Sequence, residues 1–250
     1  MTLQVRQSAR TEWNLGASHS AKLINRLLEL SPGSFTYKPV KAGQLLYREG
    51  APCCAVYCIC SGSVKLRKTS SDGKSLLLTI AGPGEIVGEM QGDPDEEPLF
   101  HFSSAQAAQD TIVAILYHTD FDMLVAHDAE AAYLFGKAMA GKRRIAESKL
   151  RDLVNAPKLT ALSSCLLRLG NSFGVTSSTG VRIDVKLTHS ELGEMIGATR
   201  ESVNRLLAAL KEQGTIGASR GRIVIQREQD LRQIAGCPDC PGCPAEVCRI

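Results

Sequence analysis

From about Phe35 to Leu116 the apolar positions come in short runs with turn residues between them. The runs are Gln44–Tyr47, Ala55–Cys60, Ser63–Arg67, Ser75–Ile80 and Thr111–Tyr117, and Gly50, Ser61-Gly62, Asp72-Gly73 and Gly82-Pro83-Gly84 punctuate them. Short β-like runs at close spacing with glycine turns predict an antiparallel sandwich or roll. From about Phe121 the pattern becomes helical and continues to Asn155, where Pro157 stops it. Leu134, Ala138, Gly141, Ile145, Ser148 and Asp152 recur at alternating spacings of four and three. Such a narrow stripe is either the seam of a parallel dimer helix or one face packed on its own domain; the basic segment that follows favours the dimer.

Residues 187–216 hold two short helical patterns around a glycine. Thr188 with Glu191 is a capping box that opens a helix through Met195, and Gly197 permits a tight turn. Thr199 caps a second helix whose buried face is Val203, Leu206, Leu207 and Leu210. Arg200, Glu201, Asn204 and Arg205 are left outward near its start. In a helix-turn-helix those N-terminal residues reach base edges in the major groove, where arginine suits guanine and glutamate suits the cytosine amino group. Ile216–Ile225, with Arg220-Gly221 at its centre, predicts a two-stranded wing. The expected DNA contacts are Thr188, His189, Ser190, Thr199, Arg200, Glu201, Ser202, Asn204, Arg205 and Arg220.

Charge supports that placement. Residues 1–140 carry 12 Lys and Arg against 15 Asp and Glu, whereas residues 141–232 carry 16 against 9. A basic second half on a protein of net charge +3 is the half expected to meet a polyanion. The chain has no apolar run of the ~20 residues a membrane span needs and no signal-peptide core at its start, so a cytoplasmic location is expected. No nucleotide loop or nucleophile–base motif is present, and no catalytic residue is expected.

At this point the second half is similar to the winged helix of the Crp/Fnr superfamily of bacterial regulators, including the Arg200-Glu201-x-x-x-Arg205 arrangement. The segments VYCICSGSVKL (56–66), DGKSLLL (72–78) and PGEIVGEM (83–90) resemble its cyclic-nucleotide-type β-roll. The resemblance covers roughly residues 30–230. It implies an α+β chain with an N-terminal arm (1–30), a β-roll (31–120), a dimerisation helix (121–155), a winged helix-turn-helix (156–232) and a cysteine-rich tail (233–250). It also implies a homodimer on a two-fold site of double-stranded DNA, with RNA polymerase as a partner. In the cyclic AMP receptor branch, residues matching Arg200, Glu201 and Arg205 read a TGTGA-type half-site.

The same resemblance argues against a cyclic nucleotide as ligand. Members that bind one use Gly-Glu followed by Arg-Ser/Thr-Ala, the arginine on the cyclic phosphate and the glutamate on the ribose. Gly88-Glu89 matches the first part, but Ser103 stands where the arginine belongs, ahead of Ser104-Ala105. The Asp93–Glu97 segment carries four carboxylates, which repel a phosphate. No cyclic-nucleotide-binding residue is therefore assigned, and Glu89 is read as a turn residue. A haem ligand from His101, His118 or a roll cysteine has only residue type in its favour.

The effector is expected in the tail. Cys237-Pro-Asp-Cys240-Pro-Gly-Cys243-Pro-Ala-Glu-Val-Cys248 holds four of the chain's nine cysteines. The spacing is close to the bacterial ferredoxin run, and soft thiolates two residues apart suit one face of an iron–sulfur cubane. Cys237, Cys240, Cys243 and Cys248 are thus the expected ligands of a four-iron, four-sulfur (4Fe–4S) cluster that senses oxygen, nitric oxide or redox state. In the ferredoxin pattern the fourth cysteine often serves a second cluster, so a ligand from the roll or the dimer helix is an alternative to Cys248. A Zn2+ site and a thiol–disulfide switch are the rival readings of the run, the former usually built from two separated pairs. An electron-transfer subunit with a borrowed β-roll leaves the helix-turn-helix unexplained. Cys58 and Cys60, alternating on a strand, are expected to fill the roll core, and Cys165 a helix core. Cys53-Cys54 at a turn is a core pair, a reactive pair or a stray ligand.

Overall fold

In the computed structural model, which describes residues 15–89, 99–237 and 248–250, the glycine-punctuated runs become strands. They are β1 (Thr36–Val40), β2 (Leu45–Tyr47), β3 (Ala55–Ser61), β4 (Val64–Thr69), β5 (Ser75–Ala81), β6 (Ile86–Val87), β7 (Ser104–Ala107) and β8 (Thr111–Tyr117). They pair antiparallel in two four-stranded sheets, ordered β1-β8-β3-β6 and β2-β7-β4-β5. Val40, Ile59 and Val113 from the first sheet and Val64 and Ala105 from the second pack into one apolar cluster. Burial of such side chains is what holds two sheets face to face. The expected roll is present.

Alternation along β3 sends the intervening side chains the other way. Val56, Cys58 and Cys60 join a second cluster with Leu23, Ile24 and Leu27 of helix α1 (His19–Leu30). The two cysteines are buried as expected, but under a helix rather than between the sheets. Residues 19–30 are accordingly no arm. Ser18 caps α1 by accepting from the Ala21 amide at 3.1 Å, and the apolar stripe of the helix supplies the lid of this core.

The helix expected from Phe121 to Asn155 is two helices, α2 (His118–His127) and α3 (Ala129–Asn155). Asp128 between them is extended, at φ −128° and ψ 112°. Its Oδ1 accepts from the Ala131 amide at 2.8 Å, so an aspartate cap restarts the helix within a continuous helical pattern. The chain divides into two compact units, Met1–Ala140 and Gly141–Ile250, and the division falls inside α3.

The heptad stripe is partly consumed within each unit. In the first, Leu134 is buried with Ala131 in the α1 cluster. In the second, Ser148 and Asp152 bond Arg168 of helix α4 (Lys158–Phe173). The large apolar side chains that α3 leaves exposed are Tyr133, Leu150 and Val154, none of them on the expected seam. No helix among the described residues is long and apolar enough to cross a membrane.

The second unit continues with β9 (Gly174–Ser177), β10 (Gly180–Ile183), α5 (His189–Ile196), α6 (Arg200–Glu212), β11 (Ile216–Ser219), β12 (Arg222–Ile225) and α7 (Glu228–Ile234). The expected two-stranded wing is the edge of a four-stranded sheet, β11-β12-β10-β9. Leu162, Leu166 and Leu169 of α4 are fully buried and form the floor of the unit.

Candidate nucleic-acid interface

The capping box closes as the residue types require. Thr188 Oγ1 accepts from the Glu191 amide at 3.2 Å, and Glu191 Oε2 accepts from the Thr188 amide at 3.0 Å. Gly197 ends α5 in the left-handed conformation at φ 62°, where a side chain is strained. Gly193 has a different reason to be small: a Cβ there would lie 2.4 Å from the carbonyl oxygen of Ala198. The two glycines set how closely the turn folds back on α5.

Helix α6 then starts at Thr199, whose hydroxyl accepts from the Ser202 amide at 3.2 Å. Val203, Leu207 and Leu210 are buried, while Leu206, expected with them, is half-buried. Arg200, Glu201, Asn204 and Arg205 are exposed, spaced so that they share one face of the helix. Thr188, Ser190 and Thr199 are exposed, and His189 and Ser202 are half-buried. The hydroxyls of Thr188 and Thr199 are engaged in capping, so their first task is to hold the two helix N-termini. Those termini present free amides and a positive dipole end to an anion such as a DNA phosphate.

In the wing, β11 and β12 pair from Ile216↔Ile225 to Ser219↔Arg222. Arg220 and Gly221 at the tip have φ 50° and 73°, as a two-residue primed turn requires. Among the described residues Arg220 is the one non-glycine with positive φ, and its side chain is exposed.

The tail cysteines divide. Cys240 and Cys243 lie outside the described residues. Cys237 follows α7, its amide donating to the Arg232 carbonyl at 2.8 Å. Cys248 is tied to α4, its carbonyl accepting from Asn171 Nδ2 at 2.9 Å. Both cysteines are half-buried. Soft thiol donors at each end of the run fit a thiolate-bound metal centre. Among the described residues no three metal-ligating side chains converge.

Of the other cysteines, Cys53, Cys58, Cys60 and Cys165 are buried packing residues. Cys165 is buried with its thiol pushed up to about 12, and Cys60 is pushed up to about 11, both by burial. Of the Cys53-Cys54 pair, Cys53 is buried with a raised pKa and Cys54 is exposed. In the roll, Glu89 accepts from the Phe102 amide at 2.9 Å, which joins the two rims of the segment holding the Asp93–Glu97 run; that run lies outside the described residues. His118 Nε2 is 2.9 Å from the Glu89 carbonyl, to which an imidazole N–H donates. His101 stacks on Tyr47 at 3.7 Å, and burial lowers its pKa. Ser103 is buried.

Sequence reasoning missed Arg168, which is 4% exposed. Nothing in its local pattern marks a buried cation, because apart from Ser164 one turn away its partners lie 16, 20 and 81 residues off.

Residues 161–234 match the family of the Crp-like helix-turn-helix domain, and residues 37–128 that of the cyclic nucleotide-binding domain. The "Anaerobic regulatory protein" of Bacillus subtilis is 34% identical over 235 residues, which cover 93% of this chain and 96% of that protein. The "CRP-like cAMP-activated global transcriptional regulator" of Mycobacterium tuberculosis is 28% identical over 194 residues, covering 77% and 85%. The structure of FixK2 from Bradyrhizobium japonicum superposes with a TM-score of 0.70 at 23% identity, over 80% of this chain and 96% of that one, and so shares the fold. The Bacillus and Mycobacterium relatives are named as regulators, the latter of transcription, and not as enzymes. With an anchored helix-turn-helix, a wing, a β-roll and a relative similar along nearly its whole length, this chain belongs to the Crp/Fnr family of transcription regulators.

Proposed function

We propose that this regulator carries a 4Fe–4S cluster on its C-terminal cysteine run, senses oxygen, nitric oxide or redox state through it, and binds a TGTGA-like palindrome as a homodimer. The observation that carries the reading is the run itself, four thiols in twelve residues, with both flanking cysteines anchored on the DNA-binding unit. A relative named for anaerobic regulation supports it. A bound cluster supplies thiolate–iron bonds that oxidants attack. The chain's own part is to tie the two end residues of the run, Cys237 to α7 and Cys248 to α4, so that a change in the run reaches the unit that reads DNA. On DNA, Arg200 and Arg205 offer guanidinium forks to guanine, Glu201 accepts from a cytosine amino group, and Arg220 meets phosphate. Exposed Tyr133, Leu150 and Val154 supply apolar surface for a second copy, and RNA polymerase is the further partner of the DNA-bound dimer.

The match to a cyclic nucleotide-binding domain and the cAMP-activated relative favour a second reading, with a nucleotide in the roll. Ser103 weighs against it, because a buried hydroxyl supplies no charge for a cyclic phosphate.

Anaerobic purification followed by iron, sulfide and zinc analysis decides between the readings. About four irons and four sulfides per chain, lost in air with a change in DNA affinity, supports the cluster. A colourless protein that takes up no iron on reconstitution and holds about one zinc overturns it.

A further inference from the structure

Arg168 is a buried cation that DNA reading does not use. Its Nη2 donates to Ser148 Oγ at 2.7 Å and to Asp152 Oδ2 at 3.0 Å, both on the last turns of α3. Asp152 is completed by Ser164 at 2.5 Å and Arg151 at 2.8 Å. These partners hold its carboxyl below the usual carboxylate range against the opposing effect of burial. Nη1 of the same guanidinium lies 3.4 Å from the carbonyl oxygen of Arg249, the residue after Cys248. Two shorter bonds pin that stretch to α4: Asn171 Nδ2 donates to the Cys248 carbonyl at 2.9 Å, and Ser172 Oγ accepts from the Ile250 amide at 3.1 Å. Ile250 is 4% exposed and borders a small cavity of about 30 Å3 with Leu153, Cys165, Met195 and Ile196.

We propose that residues 248–250 form a strap across α4, and that Arg168 is the positioning residue through which the state of the cysteine run reaches the α3–α4 junction. A guanidinium is a rigid planar fork that cannot shed its charge, and a buried one must keep its donors satisfied. It bonds α3 on one side and lies against the strap's backbone on the other. Movement of the strap therefore exposes or reorients the fork, and the set of the α3 end against α4 changes with it. Ser148 and Asp152 are four residues apart on one helix face, so a turn of the fork is felt by both. The ligand state then selects between two arrangements of one junction, a population shift with an identified lever. The cysteine run is the input only if it binds metal, so in that respect the inference rests on the function proposed above.

The test uses the full chain, with iron content measured beside DNA affinity in the iron-loaded and iron-free forms. Asn171→Ala with Ile250→Asp releases the strap, and Asn171→Ala with Ser172→Ala is the milder variant should the first fail to fold. Arg168→Lys keeps the charge and loses the fork. Wild type is expected to change its affinity on loading by roughly 5–150-fold. The strap variants and Arg168→Lys are expected to keep wild-type iron content while that ratio falls towards one. Full iron with an unchanged ratio overturns the strap and leaves the cluster reading standing. If wild type itself takes up no iron, the cluster reading fails and the strap is judged on the iron-free protein. Release that alters DNA affinity several-fold then supports it, and identical affinity overturns it.

Discussion

Arg26 Nη2 stands 2.6 Å from Asp128 Oδ2, joining helix α1 to the residue that starts α3. The other Asp128 oxygen caps α3. One carboxylate thus fixes both where the long helix begins and how α1 lies over the roll. Asp128→Asn keeps a capping oxygen and loses the ion pair, whereas Asp128→Ala loses both. Thermal unfolding is expected to rank wild type above Asp128→Asn above Asp128→Ala, the last step being roughly 2–4 °C. Arg26 holds the Asp128 pKa below its ordinary 3.8. Its contribution is therefore present above that value and is lost as pH falls through the lower folded value.

His101 gives the opposite kind of acid sensitivity. Burial lowers its pKa below 6.5, opposed by the Glu89 carboxylate and reinforced by His118. The unfolded chain then binds the proton more readily than the folded one. Stability is expected to be flat above pH 6.5 and to decline as pH falls below it. His101→Phe, which keeps a ring on Tyr47, is expected to remove part of that decline in denaturant titrations between pH 7 and 5. Parallel curves for the two proteins would refute the assignment.

The two classes of DNA contact separate by salt. Arg205→Ala is expected to lower affinity for a TGTGA-type palindrome about tenfold to a hundredfold and to relax preference at one base pair. Arg220→Ala is expected to weaken binding alike on cognate and scrambled duplexes, with a log–log salt slope about one unit shallower. Fluorescence anisotropy at several salt concentrations measures both.

Gly193→Ala places a methyl against the Ala198 carbonyl. Backbone has to shift, at a cost of about 1–3 kcal/mol. DNA affinity is expected to fall with the β-roll intact, which amide exchange resolved over the two units would register as lost protection confined to α5 and α6.

Thiol labelling of the native protein is expected to modify Cys54 quickly and to spare Cys53, Cys58, Cys60 and Cys165, which are buried. Iron loading is expected to shield Cys237 and Cys248 without altering Cys54. Fast labelling of Cys58 would mean that α1 does not cover β3.

Local chemistry made the interface legible. The Thr188–Glu191 box, the left-handed Gly197 and the Arg220-Gly221 turn are contacts between near neighbours, and each forms as its residue types dictate. Helix α1 was equally open to reading, since Ser18 ahead of Leu23, Ile24 and Leu27 is a capped amphipathic pattern. Strand β9 offered no such signal, because all four of its residues are exposed and show no alternation of burial.

By itself the sequence determined the roll, the helix-turn-helix and the concentration of thiols at the tail, because alternation, capping and spacing are properties of short stretches. Tertiary structure alone decided which face of β3 lies under α1, where one long helical pattern breaks, and which stripe residues stay within the chain. It also decided that Arg168 is buried between the end of α3 and residue 249. Those outcomes depend on which distant groups compete for the same buried space and the same charge, and local periodicity carries no record of that competition.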